Sequence, residues 1–336
     1  MEFIYNKKLN LKISRIGFGG IPIQNSSVEN AKDVVDELIR SNVNYIDSAR
    51  GYKESEKIIG EAIKGRRSSF ILATKSMART YEAMKKDIEV SLGNFQTDYI
   101  DIYQLHNPNM EALELCLSDE GAYRALKEAK SEGKIGHIGI TNHSLEVLNK
   151  AIDTGLFETV MYPFNIVEDQ GKEMFNRCKS LGILTIAMKP VAGGAIDNKK
   201  LAIKYLLNED IDVIIPGMKD KNEVIENVNI KKEALNDSEL AEVKRIKEDL
   251  SGDFCRRCGY CAPCSVGIDI PNCFVFEGYF KKYDLKDWAV ERYASLKHHA
   301  SECIECGMCE SRCPYNLKII EKLKEVRKTF GKWEKC

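Results

Sequence analysis

The sequence predicts an α/β chain, a (β/α)8 or TIM barrel followed by a small, mainly helical domain that binds metal. Three observations carry this. Short apolar runs alternate with longer amphipathic segments from residue 14 to about residue 230, eight such runs can be counted, and the cysteines crowd toward the C-terminal end.

The runs are Arg15 to Phe18, Asn44 to Ser48, Phe70 to Lys75, Ile100 to His106, His137 to Asn142, Val160 to Asn165, Leu184 to Lys189 and Val213 to Met218. Runs apolar throughout suit strands buried on both faces of a parallel sheet. The segments between them read as helices. In Ser27 to Ser41, Val28, Ala31, Val34, Val35 and Leu38 recur at helical spacing behind a serine cap, and Asp119 to Gly133 ends on a glycine. A crossover helix after nearly every strand favours a closed barrel, with an open, doubly wound sheet as the alternative. The charged helix Asp237 to Asp249 is expected to close the barrel and Leu250 to Phe254 to link it onward, giving a barrel domain over 1–250 and a metal domain over 251–336.

With 336 residues and a formal net charge of -1, the chain has material for one large core plus a smaller module, and no basic bias toward nucleic acid. The opening MEFIYNKKLNLKISRIGFGG has no apolar run of signal-peptide or spanning length, so a cytoplasmic protein without a membrane partner is expected.

Asp47, Lys75, His106, Asn142 and Lys189 end their strands, and in a parallel barrel those ends form the active-site mouth. Six motifs occur in order: IGFGGIPI from Ile16, NYIDSARGY from Asn44, ILATK from Ile71, DIYQLHNP from Asp101, GKIGHIGITN from Gly133, and IIPGM from Ile214 with IEN from Ile225. Over roughly the first 250 positions the chain thereby resembles the aldo-keto reductases. The resemblance implies nicotinamide-dependent reduction of a small carbonyl substrate, an aldehyde or ketone, by a tetrad of Asp47, Tyr52, Lys75 and His106. A phenol with a pKa of about 10 is a poor acid at neutral pH. Lys75 beside Tyr52 would lower that pKa, Asp47 would keep Lys75 charged, and His106 would hold the substrate oxygen. The alternative is that Asp47 and Lys75 form a structural ion pair and Tyr52 caps a loop.

The same resemblance implies that Thr141, Asn142 and Asn165 face the carboxamide of the cofactor. Lys189 and the loop Gly217, Met218, Lys219, Glu223, Glu226 and Asn227 would reach its adenosine end. Family precedent points to NADP(H), yet Gly217 and Met218 stand where a Lys-Ser pair is common, and Glu223 stands where a basic residue is common. An acidic side chain suits a ribose hydroxyl and not a 2′-phosphate, and Lys219 and Lys221 lie near enough to compensate, so NAD(H) stays open.

Of twelve cysteines, only Cys116 and Cys178 precede residue 255. Cys255, Cys258, Cys261 and Cys264 form a C-x2-C-x2-C-x2-C run, and Cys303, Cys306, Cys309 and Cys313 form C-x2-C-x2-C-x3-C followed by Pro314. Such spacing suits ligation and not disulfides. Two [4Fe–4S] clusters are expected, with the fourth cysteine of each run crossing to the other cluster as in two-cluster ferredoxins. That assigns Cys255, Cys258, Cys261 and Cys313 to one cluster and Cys303, Cys306, Cys309 and Cys264 to the other. The first run departs from the ferredoxin pattern, because Pro263 precedes Cys264 and the third intervening residue is missing. Zinc is the competing metal, though two zinc ribbons would space their cysteine pairs about fifteen residues apart. Residues 265–302, with helical material at Lys286 to Leu296, resemble a helical ferredoxin domain and fit the iron-sulfur subfamily of aldo-keto reductases. Cys273 reads as a packing residue.

Hydride transfer moves two electrons and a cubane passes one. Coupling them needs an intermediary such as a flavin, for which no motif is seen, or a substrate that tolerates radicals. Three readings follow: a carbonyl reductase whose clusters relay electrons to or from a partner such as a ferredoxin or flavodoxin, a reductase with structural clusters, and an electron-transfer or redox-sensing protein whose barrel binds nucleotide without turnover.

Overall fold

The structure, a computed structural model, describes residues 1–251, 255–257, 259–282, 285–313 and 315–333. The chain forms two compact units, Met1–Ala192 with Asn198–Asn236, and Gly193–Asp197 with Asp237–Cys336.

The first unit opens with a hairpin of β1 (Phe3–Asn6) and β2 (Leu11–Ser14). Eight parallel strands follow: β3 (Phe18–Gly19), β4 (Tyr45–Asp47), β5 (Ile71–Ser76), β6 (Ile100–His106), β7 (Ile135–Thr141), β8 (Thr159–Pro163), β9 (Leu184–Met188) and β10 (Val213–Ile215). Each pairs with the next in sequence order, and parallel bridges from Ile16 to Ile214 and from Gly19 to Gly217 join the first to the last. The sheet is therefore a barrel, as the repeat predicts, and not an open sheet. At the seam the chains pass so closely that a Cβ on Gly19 would fall 2.9 Å from the Pro216 carbonyl oxygen.

Strand residues alternate between two cores, as a period of two requires. Tyr45, Ile71, Ala73, Ile102, Met161, Leu184, Ile186, Val213 and Ile215 fill the interior, joined by Leu9 and Ile13 of the hairpin. Their neighbours, among them Ile46, Leu72, Tyr103, Leu105, Ile140, Val160 and Ala187, face the helices. The hairpin closes the N-terminal end of the barrel, where Ser14 and Asn44 exchange hydrogen bonds of 2.8 and 3.1 Å. The C-terminal ends remain as the mouth.

The helices of this unit are α1 (Val28–Arg40), α2 (Ser55–Ile63), α3 (Tyr81–Phe95), α4 (Met110–Leu117), α5 (Ala122–Ser131), α6 (Leu145–Asp153), α7 (Lys172–Ser180), α8 (Lys199–Asn208) and α9 (Lys221–Val228). In α1 the expected stripe is buried from Ala31 to Leu38, with Val28 half-buried, and the Ser27 side chain accepts from the Asn30 amide. The segment from Asp119 is not helical until Ala122. Its first residues are tied to the start of α3, with the Tyr81 amide donating to Glu120 and the Ala122 amide to Arg79, and a Cβ on Gly121 would meet the Cys116 carbonyl at 2.2 Å.

The helix α10 (Asp237–Ser251), which the sequence pattern assigned to the end of the barrel, falls in the second unit. Most of its faces are charged, and among its described side chains Val243 and Ile246 are the buried ones. The linker expected up to Phe254 lies partly outside the described residues. The second unit continues with α11 (Ile270–Lys282), α12 (Lys286–Ala294), α13 (Met308–Ser311) and α14 (Ile319–Phe330). Its core joins Ile268, Ile270, Tyr293, Leu323, Val326 and Phe330 to the cysteines, and Tyr293 stacks on Phe330 with centroids 4.3 Å apart. No described helix is long and apolar enough to cross a membrane.

Candidate functional site

β4 ends on Asp47, β5 carries Lys75 one residue from its end, and β6 ends on His106, so register alone places all three at the mouth. Lys75 Nζ donates to Asp47 Oδ2 at 2.5 Å and to the Ser48 carbonyl at 2.7 Å. Gln104 Nε2 lies 3.4 Å from Asp47 Oδ1. Both charged residues are almost fully buried, at 1% and 3% exposure, so the pair is desolvated. Burial pushes the Lys75 ammonium below its ordinary value and the Asp47 carboxyl above its own, and each offsets part of the other's penalty. Tyr52 follows in the β4–α2 loop. Its ring lies 4.9 Å from Lys75 Nζ and meets the His106 ring edge-on, with centroids 6.1 Å apart. The four residues of the expected tetrad are thus together.

A second set of side chains holds them, and the sequence pattern did not single it out. Glu56, fully buried on α2, accepts from Arg50 Nη1 at 2.5 Å, Thr74 Oγ1 at 2.7 Å, Ser91 Oγ at 2.9 Å and Asn94 Nδ2 at 3.0 Å. Arg50 lies two residues before Tyr52, and its amide donates to the Lys75 carbonyl at 2.9 Å. Glu56 therefore ties the Tyr52 loop to the strand that carries Lys75. The signal for it is a carboxylate on the same helical face as Ile59, Gly60 and Ile63. Glu56→Ala would remove the short acceptor of the Arg50 guanidinium, leaving it Asp87 at 3.8 Å, and would take one acceptor from each of three neutral donors. The expected cost is about 3–5 kcal/mol of barrel stability, read by urea unfolding followed by circular dichroism. Arg79, whose Nη2 donates to the His106 carbonyl at 2.8 Å, is a further residue that the motifs did not mark.

The residues expected around a nucleotide also gather at the mouth. Thr141 ends β7 and Asn142 follows it, both 2% exposed. Asn142 Nδ2 donates to the Pro108 carbonyl and its Oδ1 accepts from the Ser144 amide, leaving one further hydrogen and one lone pair. Asn165 is more committed: Oδ1 accepts from the Val167 and Glu168 amides, and Nδ2 donates to Glu168 Oε2 and the Lys189 carbonyl. It organises the loop after β8. Lys189, half-buried, has a left-handed φ of 56°. Gly217 is exposed beside Pro22, Met218 is fully buried, and Glu226 is exposed while Asn227 is buried. The start of α9 is filled by carboxylates. Asp220 accepts from the Asn222 and Glu223 amides, and Glu223 accepts from the Lys219 amide at 2.8 Å with Lys199 Nζ 3.5 Å away.

In the second unit seven of the described cysteines line two cavities. One is lined by Cys264, Cys303, Cys306 and Cys309 with Ile304 and Met308. The other is lined by Cys255, Cys261 and Cys313 with Arg256 and Tyr315, while Cys258 lies outside the described residues. Each run thus sends its fourth cysteine to the other run's cavity. The described cysteines are free thiols, and among the described residues no three His, Cys, Asp or Glu side chains meet at a point that would hold a single ion. Four cysteines around one pocket match the all-thiolate donor set of a [4Fe–4S] cluster. Gly307, with φ 75°, turns the chain between Cys306 and α13. The Ser265 hydroxyl and then the Met308 amide hold the Cys306 thiol below its ordinary pKa, while burial raises that of Cys309. Cys273 is buried and lines neither cavity.

Residues 15–201, more than half of the chain, match the model of the aldo/keto reductase family. The chain belongs to that family. Residues 254–318, spanning both cysteine runs, match a 4Fe-4S dicluster domain, so this aldo-keto reductase carries an iron-sulfur module. Among relatives, it is 29% identical over 206 residues to the uncharacterized oxidoreductase YqkF of Bacillus subtilis, a match covering 57% of this chain and 65% of that protein. It therefore spans just under two thirds of that relative. It is 26% identical to L-galactose dehydrogenase of Arabidopsis thaliana, over 71% of this chain and 92% of that one. Against the NADH-specific methylglyoxal reductase of Escherichia coli it is also 26% identical, over 56% and 66%. The holo form of aldo-keto reductase AKR11C1 from Bacillus halodurans has the same fold, with a TM-score of 0.64 at 24% identity over 73% of this chain and 96% of that one.

Proposed function

We propose that the barrel is a nicotinamide-dependent carbonyl reductase, and that the second unit holds two [4Fe–4S] clusters which relay single electrons to or from a redox partner such as a ferredoxin or flavodoxin. The observation that carries the first part is the meeting of Asp47, Tyr52, Lys75 and His106 at the barrel mouth. Bound nicotinamide would supply the hydride to the substrate carbon. Tyr52 gives the proton to the oxygen as negative charge develops there, and His106, edge-on to the phenol, holds that oxygen in place. The Lys75 charge beside the ring favours loss of the phenolic proton, and Asp47 with the Ser48 carbonyl fixes the ammonium. Thr141, Asn142 and, less directly, Asn165 would frame the carboxamide.

For the nucleotide, family usage favours NADP(H) and local charge favours NAD(H). The carboxylates of Asp220 and Glu223 already occupy the backbone donors at the start of α9, where a 2′-phosphate would meet like charge. On that ground we favour NAD(H).

For the clusters, the donor set supports the reading: four thiols around one cavity, and three described thiols plus Cys258 in sequence for the other. Clusters of this kind supply one-electron transfer when bound. A purely structural role is the second reading, because Cys255, Cys264, Cys303 and Cys313 pack on the hydrophobic core of their unit. A cytoplasmic, reducing location would keep such thiols available.

The deciding experiment is an anaerobic titration of iron-replete protein with NADH and with NADPH, followed by cluster absorbance and electron paramagnetic resonance, alongside a panel of aldehydes and ketones. Reduction of the panel with NADH the better donor is the expected result. Cluster reduction by nucleotide would connect hydride and one-electron chemistry through a flavin or a radical-tolerant substrate. Carbonyl reduction with silent clusters would favour the structural role, and nucleotide binding without any carbonyl reduction would sink the reductase reading.

A further inference from the structure

The cavity formed by Cys264, Cys303, Cys306 and Cys309 has one lining side chain that is neither a ligand nor apolar. The Ser265 hydroxyl lies 3.3 Å from Cys306 Sγ, and it follows Cys264 directly in the chain. In the free protein either atom can carry the shared proton. Once Cys306 ligates iron it is a thiolate and has no proton to give, so the hydroxyl must be the donor. We infer that Ser265 donates a hydrogen bond to the ligating sulfur of Cys306 and thereby raises the reduction potential of the cluster held by Cys264, Cys303, Cys306 and Cys309. This rests on the two-cluster reading above.

The direction follows from the charge. Reduction adds one electron to the cluster and breaks no bond, so negative charge on the ligand sulfurs grows. A hydrogen bond to one of them is then stronger in the reduced state than in the oxidised one, which shifts the equilibrium toward reduction. The position gives the effect a use. Cys306 is the one exposed residue among the described cysteines, and Ile304 and Met308, which line the same cavity, are 62% and 45% exposed. An exposed ligand sulfur leaves this cluster open to an outside carrier, and Ser265 would tune its potential there. Because the pair is exposed, water competes for the same sulfur, and the effect is expected to be moderate.

The test is an anaerobic redox titration of the purified full-length, iron-replete protein, read by electron paramagnetic resonance, on wild type, Ser265→Ala and Ser265→Thr. In Ser265→Ala one of the two midpoints should fall. At a fixed potential the reduced-to-oxidised ratio of that cluster should drop about three- to tenfold, tenfold corresponding to about 59 mV for one electron. The other midpoint and the iron content should stay put, and Ser265→Thr, which keeps the hydroxyl, should titrate like wild type. Both midpoints unchanged, both displaced together, or a threonine variant that behaves like alanine would overturn the inference. Iron and sulfide analysis of wild type that accounts for fewer than two clusters would instead overturn the reading on which it rests.

Discussion

Tyr52→Phe should lower kcat for carbonyl reduction by about 10²–10⁴ while nucleotide affinity stays as it was, because the change removes one general acid and little else. The phenylalanine ring can keep both contacts of the tyrosine ring, the edge-on meeting with His106 and the approach of Lys75 Nζ. Lys75→Met is a poorer probe. It would leave the Asp47 carboxylate, 3% exposed, without its cation, so lost activity could be lost folding. Steady-state kinetics with the best carbonyl of the panel, together with a fluorescence titration of bound nucleotide, separates the two quantities. Undiminished turnover in Tyr52→Phe would leave Asp47 and Lys75 as a structural ion pair and Tyr52 as a loop residue.

The barrel was legible because its strands are apolar on both faces and its helices on one, and these two periods differ. The mouth was legible because polar residues at the ends of buried strands have few other places to go. Neither rule applies to the β1–β2 hairpin, whose side chains are mostly half-buried or exposed, and whose plug residues Leu9 and Ile13 are single apolar positions among polar ones. Glu56 escaped for a different reason. A lone glutamate in a helix is ordinary, and only the coming together of Arg50, Thr74, Ser91 and Asn94 from other elements makes it a hub. At the start of α9, Glu223 stands out in the sequence as an acidic residue where a basic one is common, whereas Asp220 does not. Capping by Asp220 depends on where the helix begins, and that boundary is the weakest part of a pattern-based reading. The cysteine spacing gave the crossed arrangement of the fourth cysteines only by analogy with two-cluster ferredoxins, and the described cavities place Cys264 and Cys313 in that same way.

That crossing can be tested without a crystal, by asking which losses are redundant. Cys264→Ala should remove the cluster it shares with Cys303, Cys306 and Cys309, so that iron content falls from about eight to about four atoms per chain. Adding Cys303→Ala to it should change nothing further, since both residues would serve the same cluster. Adding Cys255→Ala instead should remove the second cluster and take iron close to zero. If each run served its own cluster, the two double variants would exchange their outcomes. The comparison is robust because each double variant lacks two cysteines that belong to or pack on the same hydrophobic core, Cys255, Cys264 and Cys303 all among them. General damage to that core would depress iron in both double variants alike, whereas a difference between them reports ligand partnership, by the same non-additivity that marks any two residues acting as one unit.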